Sequence, residues 1–313
     1  MSIRDGIGCS LPEEYRILPH CIEFRIPGFE KQYSPGVETL ATRNRRTDEW
    51  FDWLVTELRS ARGRRYLPVC RMSDGEFLFA LGEQKADMRL PMTQQVRINL
   101  ALRIRSLTAR PFNAGAVDHY HSGSYTREEW RDGQRRYGAM IRAISEKGIL
   151  ALHLSHGAVP FHEHFFPALG AWLGQHRIHL TDRNYVPFYF VYACLTGPRR
   201  KELLSGSRIL VINGYGEPKR QRVTDSLMRE GAQSVVWRTI SSDRSLYDSV
   251  DTSGLKGQVD IALVGAGIGK PNILLQLEPL GIPCIDAGFV FEVWADPSNA
   301  TKRAFCQPDA PCP

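Results

Sequence analysis

Between Arg208 and Asp286 the chain repeats one pattern: a short apolar run, a polar or glycine exit, then a stretch with helical spacing. The apolar runs are RILVIN (Arg208–Asn213), Ser234–Ile240, DIALV (Asp260–Val264) and PCID (Pro283–Asp286). Pro218–Glu230, Asp243–Val250 and Asn272–Leu280 supply the helices between and after them. Near-continuous apolar strands, as opposed to alternating ones, belong to a sheet buried on both faces, and strands separated by helices run parallel. The pattern therefore predicts an α/β fold: a mostly parallel sheet with helices on both faces.

The upstream half extends the same scheme. Thr47–Ser60 has Thr47 as an N-cap and Trp50, Phe51, Trp53, Leu54 and Leu58 at helical spacing. Leu67–Ser73 is a strand leading into Asp74-Gly75-Glu76, and Glu76–Leu81 opens a helix. Gln94–Thr108 and Phe161–Gln175 read as helices, as does the amphipathic Glu128–Lys147, which Gly148 ends. Ile149–Leu154 and Arg177–Leu180 read as strands, while Val186–Leu195 fits either type. Residues 1–46 form an irregular N-terminal extension broken by Pro12, Pro19, Pro27 and Pro35; residues 47–296 form the domain. Residues 297–313 form a C-terminal tail, whose end at Cys306–Pro313 reads as disordered.

The chain has 313 residues, enough for a large core, and a formal net charge of +6, which favours anionic partners without choosing among them. Its short basic runs, Arg43–Arg46 and Arg62–Arg65, come with no aromatic-basic module, so no nucleic-acid partner is expected. No secretory signal and no membrane span are seen. The seven cysteines form no CxxC pair and read as reduced thiols, which points to a cytoplasmic enzyme.

Ligands of open α/β sheets bind outside the carboxyl ends of the strands. Five exits carry polar residues: Ser73-Asp74-Gly75-Glu76, Ser155-His156, Asn213-Gly214, Gly265–Lys270 and Asp286. Asp74 and Glu76 offer two hard oxygen ligands to Mn2+ or Mg2+, with Arg71 placed to pair with a phosphate. A plainer alternative has Asp74 capping the following helix. The glycines of Gly265, Gly267 and Gly269 before Lys270 can bring backbone N–H groups to a phosphate. Pro271 excludes a P-loop. The loop also fits a Rossmann-type NAD(P)- or S-adenosylmethionine-dependent enzyme with Asp286 on a ribose. His119, His121, His162 and His164 lack metal-ligand spacing for zinc; His156 suits acid–base work or a structural hydrogen bond.

Taken together, RMSDGEFLFALG (Arg71–Gly82) and Ala262–Trp294 resemble the GT-D type of glycosyltransferase, formerly a domain of unknown function. That family pairs Arg-x-Gly-Asp-Gly-Glu after a strand with a late glycine-rich turn, a helix and a strand ending in Asp-x-Gly. The resemblance spans residues of about 48 to 296 and implies a Rossmann-like fold. It implies transfer of a sugar from a nucleoside diphosphate sugar donor, assisted by Mn2+ or Mg2+, to an acceptor hydroxyl on a glycan, lipid-linked or protein acceptor. By it, Asp74 and Glu76 are the Asp-x-Glu pair, Arg71 and Gly75 belong to the same motif, and Asp286 and Gly288 close the site. Ser73 replaces the family's usual glycine, and Phe289 stands where a histidine is frequent. Asn213, Gly214, the Gly265–Gly269 amides, Lys270 and Ser73 are the further expected contacts to the donor; His156 and Asp286 are the candidates for a general base. Two other readings stay open: the Rossmann-type cofactor enzyme above, and a non-catalytic nucleotide- or glycan-binding protein. A homo-oligomer is compatible with all three.

Overall fold

Seven apolar segments pair into one sheet, and every pairing within it is parallel. The computed structural model describes residues 17–22, 36–39, 47–72, 74–81, 125–152, 172–181 and 183–302. The strands of the sheet are β3 (Leu67–Met72), β4 (Ile149–Leu152), β5 (Tyr185–Pro187), β6 (Arg208–Asn213), β7 (Ser234–Thr239), β8 (Ile261–Gly265) and β9 (Pro283–Asp286). Their spatial order is β5-β4-β3-β9-β8-β6-β7. The chain thus builds outward from β3 to one edge, crosses to the other half, and returns to the centre with β9. The first and last strands of the sheet in sequence are neighbours, which brings Arg71 and Asp286 together across 215 residues.

Burial follows the apolar runs. All residues of β3, β4 and β9 are buried, whereas those of the edge strand β7 are intermediate or exposed. Each fully buried Leu, Ile or Val contributes roughly 1.5–3 kcal/mol relative to exposure, so the central strands anchor the fold. Among the described residues the helices are α1 (Thr47–Ala61), α2 (Asp74–Leu81), α3 (Arg127–Lys147), α4 (Phe188–Thr196), α5 (Lys201–Leu204), α6 (Lys219–Arg229), α7 (Lys270–Gln276) and α8 (Val290–Ala295). One group, α2, α3 and α7, packs together, with α3 on β3 and β4 and α7 on β3, β8 and β9. Another joins α1, α4 and α8, with α4 on β3 and β4. Trp50 and Phe51 of α1 meet Phe190 of α4 edge to face at 5.7 and 5.5 Å. Such pairs prefer this geometry because the positive ring edge faces the negative ring face.

Local chemistry explains the boundaries. Thr126 caps α3: its Oγ1 accepts from the Glu129 N–H, and the Glu129 carboxylate accepts from the Thr126 N–H. Gly148 does end this helix, but at φ −155°, not in the left-handed conformation. A Cβ there would lie 2.0 Å from the Pro68 carbonyl oxygen, so glycine permits β3 to approach the end of α3.

Several expectations change. Asp243–Val250 forms turns and not a helix. There Ser241 donates from its hydroxyl to Asp243, and the Asp248 carboxylate takes the Ser241 N–H; such side-chain bonds compete with helical ones. Arg177–Leu180 is not a strand, and Val186–Leu195 divides between the end of β5 and α4. The helix expected over Asn272–Leu280 begins earlier, at Lys270, and ends at Gln276, with a 3-10 turn at Glu278–Leu280. Within the segment expected to be irregular, β1 (Ile17–Ile22) and β2 (Gly36–Thr39) pair antiparallel as a separate two-stranded sheet. The expected helix Gln94–Thr108 and the tail end Cys306–Pro313 lie outside the described residues.

Candidate functional site

The carboxyl ends of β3, β9, β8 and β6 stand side by side, as the parallel register requires: Asn213 is level with Gly265, and Val264 with Asp286. Arg71 and Asp286 therefore reach the same level of the sheet. Asp74 opens α2 directly after β3, placing Glu76 in that helix's first turn. Lys270 opens α7 after the 3-10 turn Gly267–Gly269, which packs against α2.

These four side chains form one network. Arg71 Nη2 donates to Asp286 Oδ1 at 3.0 Å, and its Nε donates to the Asp286 carbonyl at 2.8 Å. Lys270 Nζ lies 2.7 Å from Glu76 Oε1 and 3.0 Å from Asp286 Oδ2, and donates to the Arg71 carbonyl at 3.0 Å. Nearly all of this is dry: Arg71 is 3% exposed, Glu76 and Lys270 4%, and Asp286 0%. The Arg71 guanidinium lies 4.6 Å from the Tyr192 ring centroid and 5.0 Å from that of Phe188. Aromatic faces attract a cation, most strongly when both are desolvated.

Two cations thus balance two carboxylates in a medium where an unpaired charge is expensive. Burial works against the charged form of Lys270, but Asp286 and Glu76 outweigh it and hold its pKa above the ordinary lysine value. Burial likewise opposes the Arg71 cation, and Asp286 more than offsets it. The neighbouring Cys70 thiol is pushed up by burial and stays neutral. Gly288 completes the site at φ +46°; a Cβ there would fall 1.8 Å from Arg71 Nη2, so both the backbone and the space require glycine.

The expected residues divide as follows. Arg71, Glu76, Lys270, Asp286 and Gly288 come together, and Gly75 is buried in the first turn of α2. Asn213 is buried and takes the Tyr215 N–H at 2.9 Å. Gly265 and Gly269 face protein: a Cβ on the first would lie 2.4 Å from Asn213 Nδ2, and on the second 2.3 Å from the Ser245 carbonyl carbon. A Cβ on Gly214 would meet the Ser242 Cα at 2.8 Å. These glycines let loops pack closely on one another. Asp286, fully buried and bound by Arg71 and Lys270, is poorly placed to hold a ribose, which speaks against the NAD(P) arrangement. Ser73 and His156 lie outside the described residues, as do His119, His121, His162 and His164, and of Asp74 only the backbone is described.

The carboxylates of Asp74 and Glu76 suit Mn2+ or Mg2+ in donor type. Glu76 is already held by Lys270, so a dication bound there competes with an ammonium in contact with the same carboxylate. No cluster of three or more His, Cys, Asp or Glu able to hold a metal occurs among the described residues.

The sequence reading missed Tyr137. Its side chain is fully buried in α3, and its hydroxyl has no hydrogen-bond partner among the described residues. Burial, with the Glu76 charge nearby, raises its pKa well above the ordinary tyrosine value. It was visible in sequence only as one more apolar-face position of an amphipathic helix. Tyr215, Lys219 and Glu292 were missed as well. The Tyr215 hydroxyl donates to Glu292 at 2.5 Å and Lys219 Nζ reaches both Glu292 oxygens at 3.0 Å, tying the β6 exit to α8.

No family model and no curated protein matches the chain. Among solved structures, it is similar to one described as the selenomethionine-substituted structure of domain of unknown function 1792 (DUF1792). That similarity covers 79% of this chain and 86% of the other, with 15% identity and a TM-score of 0.44. No helix among the described residues is long and apolar enough to cross a membrane.

Proposed function

We propose that the chain is a glycosyltransferase that moves a sugar from a nucleoside diphosphate sugar to an acceptor hydroxyl, with the donor seated over the carboxyl ends of β3, β8 and β9. One observation carries the reading. The two motifs that resemble the GT-D family, about 200 residues apart, meet in a single network of Arg71, Glu76, Lys270 and Asp286.

Within this proposal the buried ion pairs position the first turn of α2, and that turn carries the proposed metal ligands. Asp286 is a positioning residue: it holds Arg71 and Lys270 and has no exposed surface. Lys270 fixes Glu76, so the first turn of α2 presents a defined face to the donor. Asp74, at the mouth of that helix, and Glu76 are the proposed holders of Mn2+ or Mg2+. When bound, such an ion neutralises a diphosphate and improves it as a leaving group. The N–H groups at the start of α2 and the Gly265–Gly269 turn add partial positive charge near the phosphates. His156 is the remaining candidate for the base that takes the acceptor proton.

The test is donor hydrolysis and transfer with a panel of nucleotide sugars, with and without Mn2+. The proposal expects turnover of at least one donor and a loss of 100-fold or more, roughly the effect of removing a transition-state charge contact, in Asp74→Asn. Absence of donor binding by the wild type with metal present would sink it. Metal-assisted binding with no turnover for any acceptor would favour the non-catalytic reading instead.

A further inference from the structure

The opposite end of the sheet holds a cleft for which the proposed transfer has no use. It encloses about 560 Å3 beside Leu67, Ile149 and Asn184, where β3, β4 and β5 begin. That volume lies within the usual range of small-molecule sites. Its charged walls are not all accounted for by the fold. Arg65 is paired with Glu57 at 2.7 Å, Arg142 with Glu146 at 2.8 Å, and Lys147 with Glu278 at 2.6 Å. Lys147 also complements the negative end of the α3 dipole. Arg177 and Arg183 line the same cleft and have no acidic partner among the described residues.

Near these two arginines, Asn184 is held by hydrogen bonds. Asn184 Nδ2 donates to the Ser145 carbonyl at 3.1 Å and to the His179 carbonyl at 2.8 Å, while its Oδ1 accepts the Thr181 N–H at 2.6 Å. Leu150 N donates to the Asn184 carbonyl at 2.7 Å, joining the loop to β4. One wall of the cleft is thereby fixed to the end of α3 and to the sheet.

Arg177 occupies a position made for glycine. It follows the helical turn at residues 172–175 with φ 54°, the one non-glycine residue with positive φ among those described. Ile178 N donates to the Leu173 carbonyl at 2.9 Å and Arg177 N to the Gly174 carbonyl at 3.0 Å. This is the paired-bond helix ending whose left-handed residue is usually glycine, because a Cβ is strained there. An arginine at that point carries a conformational penalty that glycine would not. Strained residues of this kind concentrate at ligand sites.

We propose that this cleft binds a phosphate-bearing small molecule through Arg177 and Arg183, at the end of the sheet remote from the candidate transfer site. Two guanidinium groups without acidic partners among the described residues can each grip a pair of oxygens of phosphate or diphosphate, and Thr181 and His179 line the same space. The ligand is a small polyanion, since the cleft is an open pocket of small-molecule size and not an extended basic stripe. The inference stands on the cleft alone and survives if the chain transfers no sugar.

Titration calorimetry with inorganic pyrophosphate, in EDTA and at constant ionic strength, tests it. EDTA removes divalent metal from the carboxyl-end turn. The wild type and Asp74→Asn should bind with the same saturable isotherm, and Arg177→Gln/Arg183→Gln should bind at least tenfold more weakly. Arg177→Gly should melt at a higher temperature than the wild type yet bind more weakly. Absence of saturable heat, an unchanged isotherm in the double variant, or a loss that tracks Asp74→Asn would each overturn the proposal. So would an Arg177→Gly protein that melts higher and binds as well as the wild type.

Discussion

At the carboxyl ends of β3 and β9, Arg71 and Lys270 are dry and matched by Asp286 and Glu76; at the amino ends of β3 to β5, Arg177 and Arg183 face an open cleft with no acid matched to them among the described residues. The same residue types do different work because solvent differs. A buried ion pair strengthens as the local dielectric falls, but so does the penalty for breaking it, and it is suited to fixing geometry. An exposed guanidinium is screened and hydrated and is free to exchange water for a ligand. Charge alone therefore does not locate a binding site. Unmatched charge beside a cavity does so better, and matched charge marks the scaffold beneath a site.

The sharpest way to break this contrast is Lys270→Met. It leaves Glu76 and Asp286 sharing Arg71 in a dry interior, and should destabilise the fold by about 3–5 kcal/mol in chemical denaturation. Adding Glu76→Gln should recover a measurable part, since the two changes remove a matched pair. A Lys270→Met protein as stable as the wild type would mean that the network is not a balanced unit. The next effect is smaller and lies beside the cleft. His176 packs 4.7 Å from the Trp172 ring, and its burial lowers the imidazole pKa. The fold thus favours neutral His176: its contribution is full above about pH 6.5, the ordinary histidine value, and is lost as pH falls through the lower folded value. Melting temperatures at pH 7.5 and 5.5 should differ more in the wild type than in His176→Gln. The smallest effect is expected for Lys147→Ala, which removes an exposed ion pair with Glu278 and should cost about 0–1 kcal/mol, less in high salt.

The sheet was legible from sequence because its signal is local: a buried parallel strand is a near-continuous apolar run, as Ile209–Ile212 and Pro283–Ile285 are. The exits that carry Arg71, Glu76, Asn213, Lys270 and Asp286 followed from the same strands. What sequence could not assign was partners. Nothing near Lys270 announces that its ammonium is held by two carboxylates, one of them 194 residues upstream and the other 16 downstream. Gly265 and Gly269 read as a phosphate loop because glycine signals close approach without saying to what; their neighbours are Asn213 and Ser245. Asp243–Val250 misled for a related reason, since side-chain bonds from Ser241 and Asp248 replaced the helical ladder. The cleft gave no motif at all. Its arginine in a left-handed position becomes visible only once φ is known.

A crystal structure grown with Mn2+ and the nucleoside diphosphate that binds best would compare the two ends directly. The proposed function predicts a diphosphate over the exits of β3, β8 and β9, beside Asp74 and the first turn of α2, with Arg71 and Asp286 still paired beneath it. A diphosphate seated only at the amino-end cleft, with the carboxyl ends of those strands empty, would contradict it.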